Sequence, residues 1–380
     1  MQAVGIDLGT TNTVLAANAQ VVPLRAAGDN ATIMPSVVAY LPDGGIAVGA
    51  GARERRAMDA KNTIYSAKRV IGEAWNSARV REFATYYPFD IVQGADGHAG
   101  FKTRGGIKTP GEIASEVVRA SCFSAGLDAR AHEAVVSVPA GFMPAQRAAT
   151  LRAVRDAGFS RVRCVAEPVA TALAYMNRTD VRRGVVYDLG GGTFDLAILD
   201  CTADPFTIVA YGGDPYLGGD DIDHALASFV ADMVLQQHGW DLRSDQQVFA
   251  RLVLEAEKAK VRLSFATSTV INLEQVDAAA PAAVSVVPIE RHAVMELSAA
   301  LIRRTFLVCD QVLADADVPA RDVQAVFLAG GTTLVPGVRE AVAQYFGQKL
   351  RHELDPMHVV SVGASIAAMR PRFANLLEES

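Results

Sequence analysis

Two carboxylates, Asp188 and Asp195, flank three consecutive glycines, Gly190, Gly191 and Gly192, and a threonine, Thr193, within the run 185–199. The apolar residues on either side read as two buried strands, so the glycines close a hairpin. Three glycines in succession admit φ > 0, which lets neighbouring N–H groups converge into a nest for an anion. Phosphate is the natural guest. Two acids beside it would repel it unless a hard cation such as Mg²⁺ lay between. The chemistry implied is that of a metal–nucleotide complex, and an ordinary hairpin with a tight glycine turn is the competing reading of this stretch alone.

A second copy of the plan weakens that alternative. The N-terminal run 3–15 again has a strand, an acid (Asp7), a leucine, a glycine (Gly9), hydroxyl and amide residues (Thr10, Thr11, Asn12) and a second strand. Two phosphate hairpins well apart in one chain suggest a duplicated fold with a cleft between its halves.

The elements that must position these groups follow from the rest of the chain. With 380 residues, 50% hydrophobic and 21% charged, the chain can bury a sizeable core and is expected to form two lobes. A net charge of −6 leaves no basic footprint, which argues against nucleic acid as a partner. Cys122, Cys164, Cys201 and Cys309 are scattered without a C-x-x-C, so neither a disulfide framework nor a zinc site is expected. The N-terminus has no basic n-region or apolar h-region, and uncharged runs such as 323–338 are broken by Gly330, Gly331 and Pro336, so a secretory signal and a membrane helix are not expected. A reducing, cytoplasmic location fits this composition.

In chain order, 37–41 and 46–48 read as strands around the turn Pro42–Gly45, and 61–72 is a short apolar segment with paired bases. The stretch 83–108 reads as turn-rich. Helical periodicity runs through 110–125, 145–158, 247–265, 298–314, 336–346 and 356–369. Residues 134–139 and 162–168 read as strands. The second ends on Glu167, which places a carboxylate at a strand end, and Pro168 suits the first turn of a helix after it. Residues 216–223 turn into a helix with acids in its first turn, and 277–287 reads as a loop joined to a strand. On the 247–265 helix, Glu257, Lys260, Val261 and Ser264 share a stripe whose default reading is a surface ion pair. The strand 323–329 ends at Gly330-Gly331-Thr332, next to a helix whose free N–H groups suit a phosphate or ribose. No G-x-x-x-x-G-K-[ST], H-E-x-x-H or G-x-S-x-G occurs, and no G-x-G-x-x-G stands at a strand–helix junction.

The segments 5–12, 62–72, 135–139, 167–168, 187–195, 217–220 and 257–260 occur in the order found in one family. The chain resembles the ATPase domain of DnaK-type seventy-kilodalton heat-shock chaperones from Gly5 to about Ala368. The resemblance implies an α/β, actin-like ATPase fold of two duplicated ribonuclease-H-like lobes around a central nucleotide cleft. Lobe I would comprise 1–182 plus 355–380 with an outer insertion at about 37–115, and lobe II 183–354 with one at about 224–306. It also implies ATP or ADP with Mg²⁺ and K⁺ as ligands, held largely through water by Asp7, Asp188, Asp195 and Glu167. Thr10, Thr11 and Gly190 to Thr193 match the β- and γ-phosphate clamps, alongside Gly9 and Asn12. Lys68 matches the lysine that orients the attacking water, with Glu167, Asp195 and Thr193 sharing the catalytic work. Glu257, Lys260 and Ser264 match the adenosine grip, Gly218, Gly219, Gly330, Gly331 and Thr332 the turns around the nucleotide, and Pro139 and Arg147 a relay of nucleotide state.

Departures from the family pattern carry expectations of their own. Leu334 stands where the family places an arginine on the adenine, Val261 where some members have another, and Met357 where an acid is usual, so cation–π support for the base is reduced. Gly141, Met143 and Pro144 alter the segment after Pro139. The sequence ends at Ser380 without the family's hydrophobic linker or peptide-binding domain. The expectation is a Mg²⁺-dependent ATPase acting as a slow nucleotide switch, with a J-domain co-chaperone or nucleotide-exchange factor as partner. A fragment of a longer chaperone, an actin-like filament protein and a nucleotide-binding interaction module are the alternatives.

Overall fold

The computed structural model describes residues 3–25, 31–175, 181–202, 206–278, 280, 284–348 and 350–379; part of the expected 277–287 loop, residues 279 and 281–283, lies outside them. Two sheets share one plan. In the first, Ala3–Leu8 pairs antiparallel with Asn12–Ala17 and parallel with Glu133–Val138, which runs parallel to Arg161–Ala166. In the second, Arg183–Leu189 pairs antiparallel with Phe194–Asp200 and parallel with Ala325–Ala329, which runs parallel to Leu350–Arg351. Each central strand is covered on both faces, which is why it reads as an unbroken apolar run: Val185, Val186, Tyr187 and Leu189 are all buried. Thr207–Asp214 adds an outer strand to the second sheet.

The two sheets meet over a pair of helices. Glu167–Tyr175 follows the last parallel strand of the first sheet, and Val359–Met369 follows the second sheet and packs back on Ala3–Leu8 and Glu133–Val138. Small residues let these helices cross at backbone distance. A Cβ on Gly363 would collide with the backbone of Ala170, and a Cβ on Gly5 would collide with that of Ser361 and Ser365. One apolar cluster, with Val135 and Val165 from the first sheet, Val186 and Phe327 from the second and Val360 and Ala364 from the crossing helix, joins the halves.

The outer parts hold the differences from the sequence reading. The stretch read as turn-rich contains the helix Ala78–Tyr86, capped by Ser77 accepting from the Val80 N–H at 3.2 Å. Only Val80 and Phe83 turn inward from it, too few to raise a periodic signal. Asp90–Gln93, Ala99–Thr103 and Gly106–Lys108 then form a small antiparallel sheet. The helix Pro110–Ala125 falls where expected, held by the reciprocal Thr109–Glu112 capping box and closed by Gly126 at φ 67°. In the second half, Gly219–His238 and Gln246–Leu263 pack together, and Arg291–Asp315 begins seven residues before the expected start, its first two turns burying only Val294. The last helix begins at Val359, after Pro356, and the helix expected around Pro168 begins at Glu167 itself. All four cysteines are unpaired, and among the described residues no helix is long and apolar enough to cross a membrane.

Candidate functional site

The two glycine hairpins meet tip to tip. A Cβ on Gly191 would press on the side chain of Thr11, so the loops from the two sheets face each other across the cleft. The second loop is shaped by Gly190 N–H donating to the Thr193 carbonyl at 3.0 Å and by Thr332 Oγ1 donating to the Gly190 carbonyl at 2.9 Å. The N–H groups of Gly191, Gly192, Thr10 and Thr11 make none of the turn and loop hydrogen bonds among the described residues. Buried Thr11 Oγ1 is likewise without a partner. Unmet donors in a glycine cradle are what a phosphate chain requires.

Four acids stand beneath these tips. Asp188 lies directly opposite Asp195 in the strand register, Asp7 holds the matching place in the first hairpin, and Glu167 opens the crossing helix. Burial, followed by repulsion from Glu167, pushes the Asp7 and Asp195 carboxyls up to about 7, and burial raises Asp188 well above the usual range. Ser137 Oγ donates to Asp7 at 3.1 Å and opposes the shift. Glu167 is buried and the three aspartates are partly exposed, and four acids gathered this closely at one cavity call for a cation. Among the described residues no three acidic, histidine or cysteine side chains converge closely enough to hold one directly. The donor set therefore fits a hydrated divalent ion completed by phosphate oxygens, not a protein cage.

Lys68 answers part of this charge. Its ammonium donates to Glu167 Oε1 at 2.7 Å, and both residues are about nine-tenths buried. Burial disfavours its charge, but Glu167 and Asp7 outweigh that and raise its pKa. The turn that delivers it contains Ser66 at φ 56°, a left-handed conformation that costs a non-glycine residue on the order of 1 kcal/mol. Phe142 lies against the ammonium at 5.8 Å.

A cavity of about 260 Å³ gathers Asp7, Gly9, Thr10, Thr11, Asn12, Lys68, Pro139, Glu167, Asp188, Gly190, Gly191, Thr193, Asp195, Gly330 and Gly331. Other expected residues sit beside it. Lys260 donates to Asp223 and to the Gly219 carbonyl, both at 2.8 Å, and so braces the turn at Gly218 and Gly219. Glu257 forms an ion pair across the cleft with Arg53, and Lys258 approaches Glu54 at 3.6 Å. Ser264 caps its helix by donating to the Lys260 carbonyl, Val261 is exposed, and Leu334 ends the Gly331–Leu334 turn outside the cavity. Gly192 is occupied on its carbonyl side by Arg69.

Several lining residues carry no sequence signal. Arg69 donates to the Gly192 carbonyl and lies against the Tyr216 ring at 4.9 Å, tying the halves together. Arg79, Phe142, Tyr211 and Asp214 also line the cavity, and the Tyr211 ring lies 3.3 Å from where a Cβ on Gly141 would stand. Paired bases at 68–69 are the only hint of Arg69. Arg147 donates to the Phe142 and Ala140 carbonyls and to Glu378, so the loop after Pro139 is fastened to the C-terminal segment, whose Glu378 exchanges backbone hydrogen bonds with Cys164.

Duplicated sheets, facing glycine hairpins and a buried lysine–glutamate pair define a two-lobed nucleotide-binding ATPase of the actin-like kind. A family profile described as "Hsp70 protein" matches residues 3–370. The proteins named "Chaperone protein DnaK" from two strains of Thermus thermophilus are 38% and 37% identical to it, each over 377 residues. Each alignment covers 97% of this chain and 60% of the relative, so the chain spans 60% of the length of these curated relatives. The chain belongs to the Hsp70 family and carries its ATP-binding ATPase domain.

Proposed function

We propose that this chain binds ATP with Mg²⁺ in the cleft and hydrolyses it slowly, using the cycle as a conformational switch. The observation that carries the reading is the buried Lys68–Glu167 pair set among Asp7, Asp188 and Asp195 at the point where the two hairpins face. Thr10, Thr11 and the Gly190–Thr193 turn would hold the β- and γ-phosphates through their unmet donors. Bound Mg²⁺, with K⁺ beside it, would neutralise charge on the phosphate oxygens through waters held by the aspartates. Lys68, fixed by Glu167, orients the attacking water and stabilises charge on the transferring group, while Thr193 and Asp195 bound that position from the second hairpin. Glu257, Ser264, Leu334 and the Gly330–Thr332 turn frame the nucleoside side, with Lys260 supporting Gly218 and Gly219.

In this reading lobe I is 1–182 with 355–380, and lobe II is 183–354. Pro139 and Arg147 carry the state of the cleft to the C-terminal segment through the fastened loop. A J-domain protein and a nucleotide-exchange factor are the partners such a switch would take, in the cytoplasm, and client handling belongs to any longer assembly containing this domain. ATP turnover measured with Mg²⁺, and with Mg²⁺ chelated, tests the proposal. Phosphate release that requires Mg²⁺ and falls about 10²–10³-fold in Lys68→Ala is expected; Mg²⁺-independent turnover would refute it.

A further inference from the structure

The cavity carries a cation that the assignments above leave without a task. Arg79, in the first turn of Ala78–Tyr86, lines it together with Asp214 and Pro215 from the other half. Its side chain is 43% exposed, which puts it at the mouth. Three cationic residues line the cavity among the described residues. Lys68 is bound to Glu167 at 2.7 Å, and Arg69 is held by the Gly192 carbonyl and Tyr216. Among the described residues Arg79 has only Glu73, at 3.6 Å. Asp214, the acid lining the cavity nearest in sequence to Pro215, is already paired with Arg304 at 2.7 Å. The Arg79 guanidinium therefore has capacity for a further anion. Its charge is also felt inside, where it holds the Asp195 carboxyl down against burial and Glu167.

Its position is fixed from two directions. Glu73 is itself engaged by Gln146, whose amide donates at 3.3 Å from the helix that carries Arg147. The Arg79 carbonyl accepts from the Tyr216 hydroxyl across the cleft at 3.3 Å, and Tyr216 stacks on Tyr86 of the same helix. Both sides of the cleft thus hold the segment that presents the guanidinium.

Hydrolysis joins a water oxygen to the γ-phosphorus, breaks its bond to the β-phosphate oxygen and releases a proton, leaving ADP and inorganic phosphate. That phosphate has lost its covalent tie to the nucleotide, so only ionic and hydrogen-bond contacts hold it. It leaves past the mouth of the cavity, where the partly exposed Arg79 guanidinium meets it. We propose that Arg79 is a phosphate-holding residue that binds inorganic phosphate at the mouth of the cleft and delays its exit. The proposal rests on the hydrolytic reading above.

Binding of radiolabelled inorganic phosphate to the full chain loaded with Mg²⁺ and ADP, followed by equilibrium dialysis, tests it without turnover. Arg79→Gln should weaken phosphate binding about ten-fold, the scale of one partly screened charge-assisted contact. Arg79→Lys should recover most of it, because it keeps the charge without the planar fork. With KCl held constant, added choline chloride should weaken phosphate binding more in the wild type than in Arg79→Gln. In single turnover with a phosphate-binding sensor, Arg79→Gln should release phosphate about ten-fold faster after cleavage. Phosphate affinity and release unchanged in Arg79→Gln would overturn the proposal. A wild type that cleaves no ATP would overturn the hydrolytic reading instead, and the dialysis result would stand apart from that failure.

Discussion

Replacing Lys68 by alanine tests the centre of the site. The lysine and Glu167 are 2.7 Å apart with side chains 8% and 12% exposed, so water does little to screen the pair. Removing one partner of such a pair leaves a buried charge uncompensated and costs about 3–5 kcal/mol. Lys68 also lowers the Asp7 and Asp195 carboxyls, so its loss raises both further above about 7. Protons then neutralise the surplus acid, and the destabilisation should be near the upper figure at pH 8 and smaller at pH 6. Urea unfolding at both pH values measures this. Turnover should fall about 10²–10³-fold, the loss typical of one preorganised electrostatic contact to the transition state, while ATP affinity changes little. Lys68→Met combined with Glu167→Leu separates the two effects: it should recover most of the stability, as apolar replacement of a buried pair does, and none of the turnover. Single-turnover hydrolysis and calorimetric ATP binding supply the remaining quantities. Equal losses of affinity and turnover in Lys68→Ala would show that the lysine only holds ground-state phosphate, and the argument would fail.

Burial pushes the Asp7 and Asp195 carboxyls up to about 7 against 3.8 in the unfolded chain, so the folded state binds more protons between those values and its stability falls as pH rises through them. Mg²⁺ with ADP should therefore raise the melting temperature more at pH 8 than at pH 6 and release protons near pH 6.5 in paired-buffer calorimetry; no proton release would count against these acids as the cation's partners. Gly363→Ala should destabilise the protein by about 3 kcal/mol in chemical denaturation, because backbone, not a yielding side chain, meets the new methyl. Glu257→Ala should speed nucleotide dissociation about five-fold in stopped flow by removing the half-buried pair with Arg53 across the cleft, and an unchanged rate would exclude that pair as a restraint.

The hairpins were legible because their acids and apolar flanks repeat, but their glycines serve a different end from the one expected: none of Gly190, Gly191 and Gly192 adopts a positive φ, and Gly191 and Gly192 are required by the close approach of Thr11 and Arg69. Their tight turn even fixes Asp188 opposite Asp195. The mouth of the cleft was not legible in the same way. Arg69 reaches Gly192, and Tyr216 reaches Arg79, through pairings that depend on how the halves pack. The helix presenting Arg79 was hidden because a short cap and two inward side chains leave little periodicity. The stripe through Glu257, Lys260 and Val261 correctly placed these residues on a helix but not what each meets: one crosses the cleft, one braces a turn through Asp223, and one faces solvent.

The contact between Gly363 and Ala170 also has a mechanical meaning. Two helices with backbone against backbone leave no room to shift against each other, and the second of them also packs on the strands of the first sheet, so the crossing makes that half of the chain one block. Glu167 is the first residue of one of these helices, and the Lys68 ammonium is bound to it. The lysine and glutamate are thereby registered to the frame of one sheet, while Asp188 and Asp195 are carried by the other.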